Sequence, residues 1–508
     1  MLTYTDAAVA ILAILLALFL KASVTRYKQR ARYPPGPKGL PIIGNVLEMP
    51  KTHEWLTFAS WSEQYGDIIY LSLLGQPMVI LNSAKDAVAL LDKRSNIYSD
   101  RPVLIMGGEL VGWSSTLALS PYGERFREHR RFIARFIGGK AQMERHLRLI
   151  ECETKNFLKR MLKRPEGVAG NIRRTAGAII LKLSYGYEIR EDQDPLVDLV
   201  NRVMEQFTEA TTPGAFLVDV FPLLRHVPAW IPGASFKVKA QQWKYTLQQV
   251  IDVPHAFVKE QMTNHAEIPS YTSELLRDER LESSQERDIK LSASSLYTGG
   301  ADTTVSAIHT FFLTMILFPH VQRRAQAEID SVIGTDRLPS FEDRPNLPYV
   351  EGVFKEVLRW HPIGPLGLPH RLTQDDVYEG YVLPKGTIVI PNIWKFLHDP
   401  EVYPNPSEFD PTRYLPEDGK APSLDPRNYC FGFGRRICPG LHLADASVWL
   451  TCATVLAAFD IKKLVHDGKI VEVVPEYTSG TVSHPKPFKC DIKPRSAKAR
   501  ALILANDE

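Results

Sequence analysis

Ten residues near the end of the chain, FGFGRRICPG at 431–440, carry the strongest chemical signal in the sequence. One cysteine, Cys438, stands just before a helix-like apolar run (LHLADASVWLTCATVLAAF, 441–459), with Arg435 and Arg436 close by. A helix N-terminus and neighbouring cations both favour a thiolate over a thiol. Glycines 432, 434 and 440 give the loop access to positive φ and let a flat ligand approach the backbone. A phosphate-binding loop is excluded, because no Lys-Ser/Thr pair follows the glycines. A redox dithiol lacks a partner cysteine at motif spacing, and no Cys/His cluster has zinc spacing. A buried inert cysteine is the commonplace alternative, and it leaves the glycines and arginines without a purpose.

Four other stretches hold residues able to do chemistry. TGGADTTVSAIHTFFLTMI (298–316) sets Asp302, Thr303 and Thr304 after a Gly299-Gly300 pair that invites a helix kink. An acid and an alcohol in apolar surroundings can relay protons; alternatively, Asp302 simply caps a helix. KEVLR (355–359) places Glu356 and Arg359 one helical turn apart, which by itself is also the pattern of a solvated ion pair. YGERFREHRR (122–131) carries Phe126, His129 and Arg130, and GLPHRL (367–372) carries Arg371.

The elements that position these residues follow from composition and periodicity. The 508-residue chain is 44% hydrophobic and 23% charged, a globular composition. Its net charge of +3 is too near zero to argue for nucleic acid. Five widely spread cysteines do not form a disulfide framework, which points to a reducing compartment. Residues 7–20 (AAVAILAILLALFL) are unbroken apolar, and basic residues follow at Lys21, Arg26, Lys28, Arg30 and Arg32. This order predicts a transmembrane anchor over 1–24 with the bulk of the protein cytosolic. Prolines 34, 35, 37 and 41 predict a stiff basic and proline-rich hinge over 25–45, followed by one catalytic domain over 46–508. Helical periodicity dominates, as at 122–136, 146–164 and 320–333. Hairpins are predicted at 67–81, turning near Gly75, and at 379–392, turning at Pro384-Lys385-Gly386, with further β pairs in 468–482 and 488–494. The fold class is mainly α with a minor β-sheet region.

Phe431, Gly434, Arg436, Cys438 and Gly440 resemble, residue for residue, the haem-binding loop of the cytochromes P450, the haem-thiolate monooxygenases. The order of the other motifs is similar along nearly the whole chain, and finer details look like fungal microsomal members. The resemblance implies the cytochrome P450 fold and a heme b whose iron is ligated by the Cys438 thiolate. It implies that Phe431 packs near the sulfur, and that Arg436, Arg130 and Arg371 contact haem propionates, with His129 a further candidate. Where Phe126 stands the family usually has tryptophan, which loses an indole N–H bond. Arg413 in FDPTRY (409–414) resembles the third member of a buried Glu–Arg–Arg triad with Glu356 and Arg359. Asp302 and Thr303 resemble the oxygen-activation pair.

The same resemblance implies O2 as cosubstrate and a lipophilic small molecule as substrate, oxidised in secondary metabolism or as a xenobiotic. No flavin or nicotinamide fingerprint is present in the sequence, so electrons are expected from a separate NADPH–cytochrome P450 reductase. A monomer in the endoplasmic reticulum membrane is expected. Pocket walls are expected from 100–120, 205–235, Tyr297, Ala301, 363–368 and 478–482. Rival readings are a haem-thiolate enzyme that rearranges peroxides without external electrons, a membrane-anchored haem or lipid binder without turnover, and a structural membrane protein with a simply buried cysteine.

Overall fold

A computed structural model describes residues 32–212, 214–282, 285–416 and 421–505; the expected anchor over 1–24 lies outside them. The fold is mostly helical with small sheets, as the periodicity predicts. Its longer elements, in chain order, are α1 (Glu54–Tyr65), β1 (Ile68–Leu73), β2 (Gln76–Leu81), α2 (Glu124–Ile137), α3 (Leu147–Lys163), α4 (Val168–Tyr185), α5 (Pro195–Thr211), α6 (Ser235–Thr263), α7 (Glu286–Leu317), α8 (Pro319–Val332) and α9 (Pro348–Trp360). Strands β3 (His370–Arg371), β4 (Asp376–Tyr378), β5 (Tyr381–Leu383) and β6 (Ile388–Pro391) follow, then α10 (Leu441–Ala458), β7 (Phe459–Lys463), β8 (Val465–His466), β9 (Lys469–Ile470) and β10 (Cys490–Pro494).

The 32-residue α7 is the axis of the helical body and packs against α2, α4, α9 and α10. It is helical without a break through Gly299-Gly300, and Asp302 lies inside it rather than at its N-cap. Gly300 serves close packing instead: a Cβ there would lie 2.8 Å from Cδ1 of Ile180 on α4. Leu441–Ala458 is, among the described residues, the single unbroken helix long and apolar enough to span a bilayer, but 72% of it is buried. Trp449 within it is fully buried, which makes α10 a core helix.

The 67–81 hairpin forms as expected, with Leu74 and Gly75 both at positive φ. The second hairpin differs. It pairs 376–378 with 381–383 around Glu379-Gly380, while β6 leaves it to lie parallel to β2 in a sheet of order β1-β2-β6-β3. Both turns carry two consecutive positive-φ residues, the geometry whose twist matches a two-residue hairpin. At the C-terminal end β7 pairs β10 and β8 pairs β9, whereas most of 471–482 is not strand.

The described part of the proline-rich segment is not a free spacer. The Tyr70 N–H donates to the Pro35 carbonyl at 2.8 Å, Tyr33 stacks on Tyr70, and Asn45 is bonded to Ser72. It is laid along β1 as part of the body.

Glu356 and Arg359 are fully buried and joined by two 2.8 Å hydrogen bonds. Arg413 Nε and the Tyr414 hydroxyl complete the shell of the same carboxylate at 3.1 and 3.0 Å. Arg359 also donates to the carbonyls of Leu397, Pro406 and Glu408. The ion pair is therefore the staple that ties α9 to the irregular chain leading into the cysteine loop.

Candidate active site

The cysteine loop closes on itself through the backbone, the Cys438 N–H donating to the Phe431 carbonyl at 2.8 Å. Gly432 and Gly434 have φ of 78° and 53°, but Gly440, at −94°, does not use the left-handed region. Gly434 is also sterically required, since a Cβ would lie 2.3 Å from the Leu91 carbonyl oxygen and 2.9 Å from Ser95 Cβ. Gly432 has open space. Gly434→Ala is accordingly expected to cost about 1–3 kcal/mol and to weaken cofactor retention, because the 91–95 backbone must shift. Gly432→Ala bears only the left-handed backbone cost of about 1–2 kcal/mol. Thermal unfolding of the two variants side by side checks the ordering.

Burial pushes the Cys438 thiol up, while the Gly440 N–H and Arg130 pull it down. The thiolate-favouring charge thus comes from Arg130 on α2, not from the adjacent Arg435 and Arg436. Arg435 turns to the Tyr122 hydroxyl at 2.8 Å. Arg436 lies over the Phe126 ring at 3.8 Å and donates to the carbonyls of Ser99, Ser120 and Leu117. Phenylalanine at 126 therefore keeps the packing and offers Arg436 a π face. Arg130 donates to the Ile437 carbonyl at 2.6 Å, clamping α2 to the loop.

Sequence reasoning did not nominate Arg101. It is buried and donates to the carbonyls of Ala118, Leu368 and Pro369. Arg371, which was nominated, is already neutralised by a two-pronged ion pair with Asp100. Among the described residues no carboxylate lies within ion-pair distance of Arg101, Arg130 or Arg436. Burial lowers all three, Arg436 to about 10. His370 beside them bonds the Tyr98 carbonyl and is pushed down to about 3 by burial, with Arg101 and Arg436 adding to it. His129 faces the other way, onto Asp288 of α7. The run SDRP (99–102) carries no periodicity or spacing to mark Arg101; the signal is its burial with only carbonyls as hydrogen-bond partners, visible only in three dimensions.

Leu117 joins the loop to α7. Its carbonyl accepts from Arg436, and its N–H donates to Ser295 Oγ at 3.0 Å. Asp302 sits seven residues, about 10 Å, further along the helix. Asp302 and Thr303 do not bond each other: Asp302 meets His484, and the Thr303 hydroxyl donates to the Gly299 carbonyl at 2.8 Å. Beyond them the expected wall segments converge. Thr211 meets Thr481 at 2.9 Å, Ser483 donates to the Ile363 carbonyl, and Gly480 rests against Thr208. Tyr297 is not a wall residue, for its ring is buried edge-on to Tyr185 and its hydroxyl bonds the Leu196 carbonyl.

The family whose model matches residues 34–492 is the cytochrome P450 family. The chain is a cytochrome P450. Cytochrome P450 monooxygenase 208 of Postia placenta is 54% identical over 506 residues, 99% of this chain and 98% of the relative. Cytochrome P450 monooxygenase claR of Ampulloclitocybe clavipes is 51% identical, covering 94% and 90%. Cytochrome P450 monooxygenase ppsD of Aspergillus oryzae is 42% identical, covering 93% and 90%. The protein is thus a fungal-type haem-thiolate monooxygenase, an oxidoreductase, and membership implies a haem held by a cysteine thiolate. The residues present fit that group. Among the described residues, buried Arg101 and Arg436 and half-buried Arg130 make no salt bridge, and a flat apolar ring with two carboxylates would meet the positive charge that Asp100 only partly offsets at Arg101 and Arg436.

Proposed function

We propose that this cytochrome P450 inserts one oxygen atom of O2 into a lipophilic organic substrate, with Cys438 as the thiolate that would hold the haem iron, in fungal secondary metabolism or xenobiotic oxidation. The observation that carries this is the half-buried Cys438 with Arg130 acting on its sulfur, and Arg101 and Arg436 as two buried cations in no salt bridge among the described residues. The haem, when bound, supplies reductive activation of O2, with the thiolate favouring O–O cleavage. The chain does the rest. Phe431 and Gly434 hold the loop shape, and Arg101, Arg130 and Arg436 offset propionate charge. Arg371 acts at one remove, holding Asp100 next to Arg101 through its ion pair and a single β-bridge. Asp302 offers a carboxyl group and Thr303 a hydroxyl through which protons can pass. Buried Ile105, Met106, Val111, Trp113 and Ala301 support a dry, apolar substrate space.

Electrons come from an NADPH–cytochrome P450 reductase, and residues 1–24 anchor the protein as a single span in the endoplasmic reticulum membrane, with residues 46–508 as the cytosolic catalytic domain. Exposed apolar side chains at Leu40, Ile42 and Leu47, and at Leu223 and Trp230, support a lipid-facing end. His53, just after the first group, and Thr211, shortly before the second, both bond the 477–485 turn.

Membranes carrying the protein and a reductase, given a panel of lipophilic compounds under isotopically labelled O2, are expected to yield products with one labelled oxygen by mass spectrometry. Label arriving from water, or a haem spectrum perturbed by hydrophilic ligands alone, overturns the proposal. In the same assay Thr303→Ala is expected to lower product formation by about 10²-fold while peroxide takes up the electrons.

A further inference from the structure

Asp302 is bonded away from Thr303. Its Oδ2 lies 3.1 Å from Nε2 of His484, on a turn distant in sequence. That turn is rigidly held. The Thr478 N–H donates to the His484 carbonyl at 2.8 Å, and the His484 N–H donates to Thr478 Oγ1 at 2.9 Å. The adjacent Ser483 donates to the Ile363 carbonyl through its N–H and to the Thr478 carbonyl through its hydroxyl. Its own carbonyl accepts from the Ser306 hydroxyl at 2.6 Å. Ser306 lies four residues beyond Asp302, so the turn grips α7 at two points one helical turn apart.

The pair sits where solvent meets the core: 18% of the His484 side chain and 14% of that of Asp302 remain exposed. Two other histidines stand near, and neither suits proton supply. His309 stacks on Phe488, and burial, with His484 and Arg173 adding to it, pushes it down to about 4. His361 stacks on Tyr477, bonds Ser483 Oγ, and is pushed by burial well below its ordinary value. Both stay neutral near pH 7. Lys486, two residues past His484, is occupied by Glu476.

We propose that His484 is the residue that positions Asp302 and supplies it with protons from solvent. This rests on the reading of Asp302 as the acid of the oxygen-activation pair. In the step, the Nε2–H bond of the imidazolium breaks as an O–H bond forms on Asp302 Oδ2, leaving neutral imidazole and a neutral carboxyl. Asp302 then releases that proton inward, and the imidazole takes another from bulk water. One proton crosses per cycle, and no electron moves.

His484→Gln keeps a hydrogen-bond donor toward Asp302 but carries no proton. Its haem content, ferrous carbonyl spectrum and substrate-induced spectral shift are expected to match wild type. Product per NADPH is expected to fall several-fold, with a matching rise in peroxide and a larger solvent deuterium isotope effect. A second readout needs no turnover: carbethoxylation of His484 by diethyl pyrocarbonate, followed by mass spectrometry on haem-loaded protein. It is expected to run several-fold faster in Asp302→Ala than in wild type, because Nε2 is released. Full coupling in His484→Gln, or equal modification rates in the two proteins, overturns the role of His484 alone. A wild-type carbonyl band without thiolate character overturns the haem-thiolate reading and this inference with it.

Discussion

Cys438→Ser is expected to fold almost as well as wild type and to lose the enzyme. The substitution exchanges one small atom, and the loop's closure runs through the backbone N–H of residue 438 to the Phe431 carbonyl, which serine retains. Gly434 keeps its packing on Leu91, and Arg130 its bond to the Ile437 carbonyl. What disappears is the soft, electron-rich ligand. Even residues that only support a metal ligand typically cost about 10- to 100-fold in metal affinity or activity when removed, so loss of the ligand itself should exceed that. The measurement is threefold: haem-to-protein ratio, the ferrous carbonyl spectrum, and thermal unfolding of cofactor-free protein. The first two are expected to collapse while the third moves little. A serine variant with an unchanged carbonyl spectrum assigns the iron to another residue.

Glu356→Ala is expected to fail at folding. Removing the carboxylate strands Arg359 at zero exposure, with only carbonyls to face. It also releases Arg413, the Tyr414 hydroxyl and the Asp410 N–H from a single shared acceptor. Breaking a buried ion pair on one side costs about 3–5 kcal/mol. Set against a total stability of about 5–15 kcal/mol, that removes much of the margin. Little soluble haem-loaded protein should accumulate, and what does should melt far below wild type. Glu356→Gln, which keeps one acceptor, is expected to fall between. Replacing Glu356 and Arg359 together with methionine should be less damaging than Glu356→Ala, since no charge is left unpaired. An alanine variant with wild-type yield and melting temperature refutes the view that this pair staples the meander.

Much of this molecule was legible along the chain because its signals are local. The cysteine loop is ten contiguous residues whose glycines, arginines and cysteine only make sense together, and the Glu356–Arg359 pair is a single helical turn. The long helices announce themselves by period, and the structure differs at their ends by a residue or two, as with 122–136 against Glu124–Ile137. The short-range turn rule succeeded at Leu74-Gly75. It failed at 384–386, because Glu379-Gly380 offered the better two-residue geometry and β6 found a parallel partner some 300 residues back.

What tertiary structure alone decided is where charge and bulk end up after distant segments meet. Gly299-Gly300 reads as a weak point in a helix, yet neighbouring α4 turns Gly300 into a close-packing site within an unbroken α7. Arg371 reads as a propionate contact, and the structure pairs it with Asp100, 271 residues away, while Arg101 is buried with only carbonyls as hydrogen-bond partners. Asp302 and Thr303 are adjacent in sequence and bonded to different partners, one of them His484 across the fold. Which side chains carry chemistry is written in residue type and local spacing. Which of them are left without a salt-bridged partner depends on burial and long-range pairing, which a chain acquires only on folding.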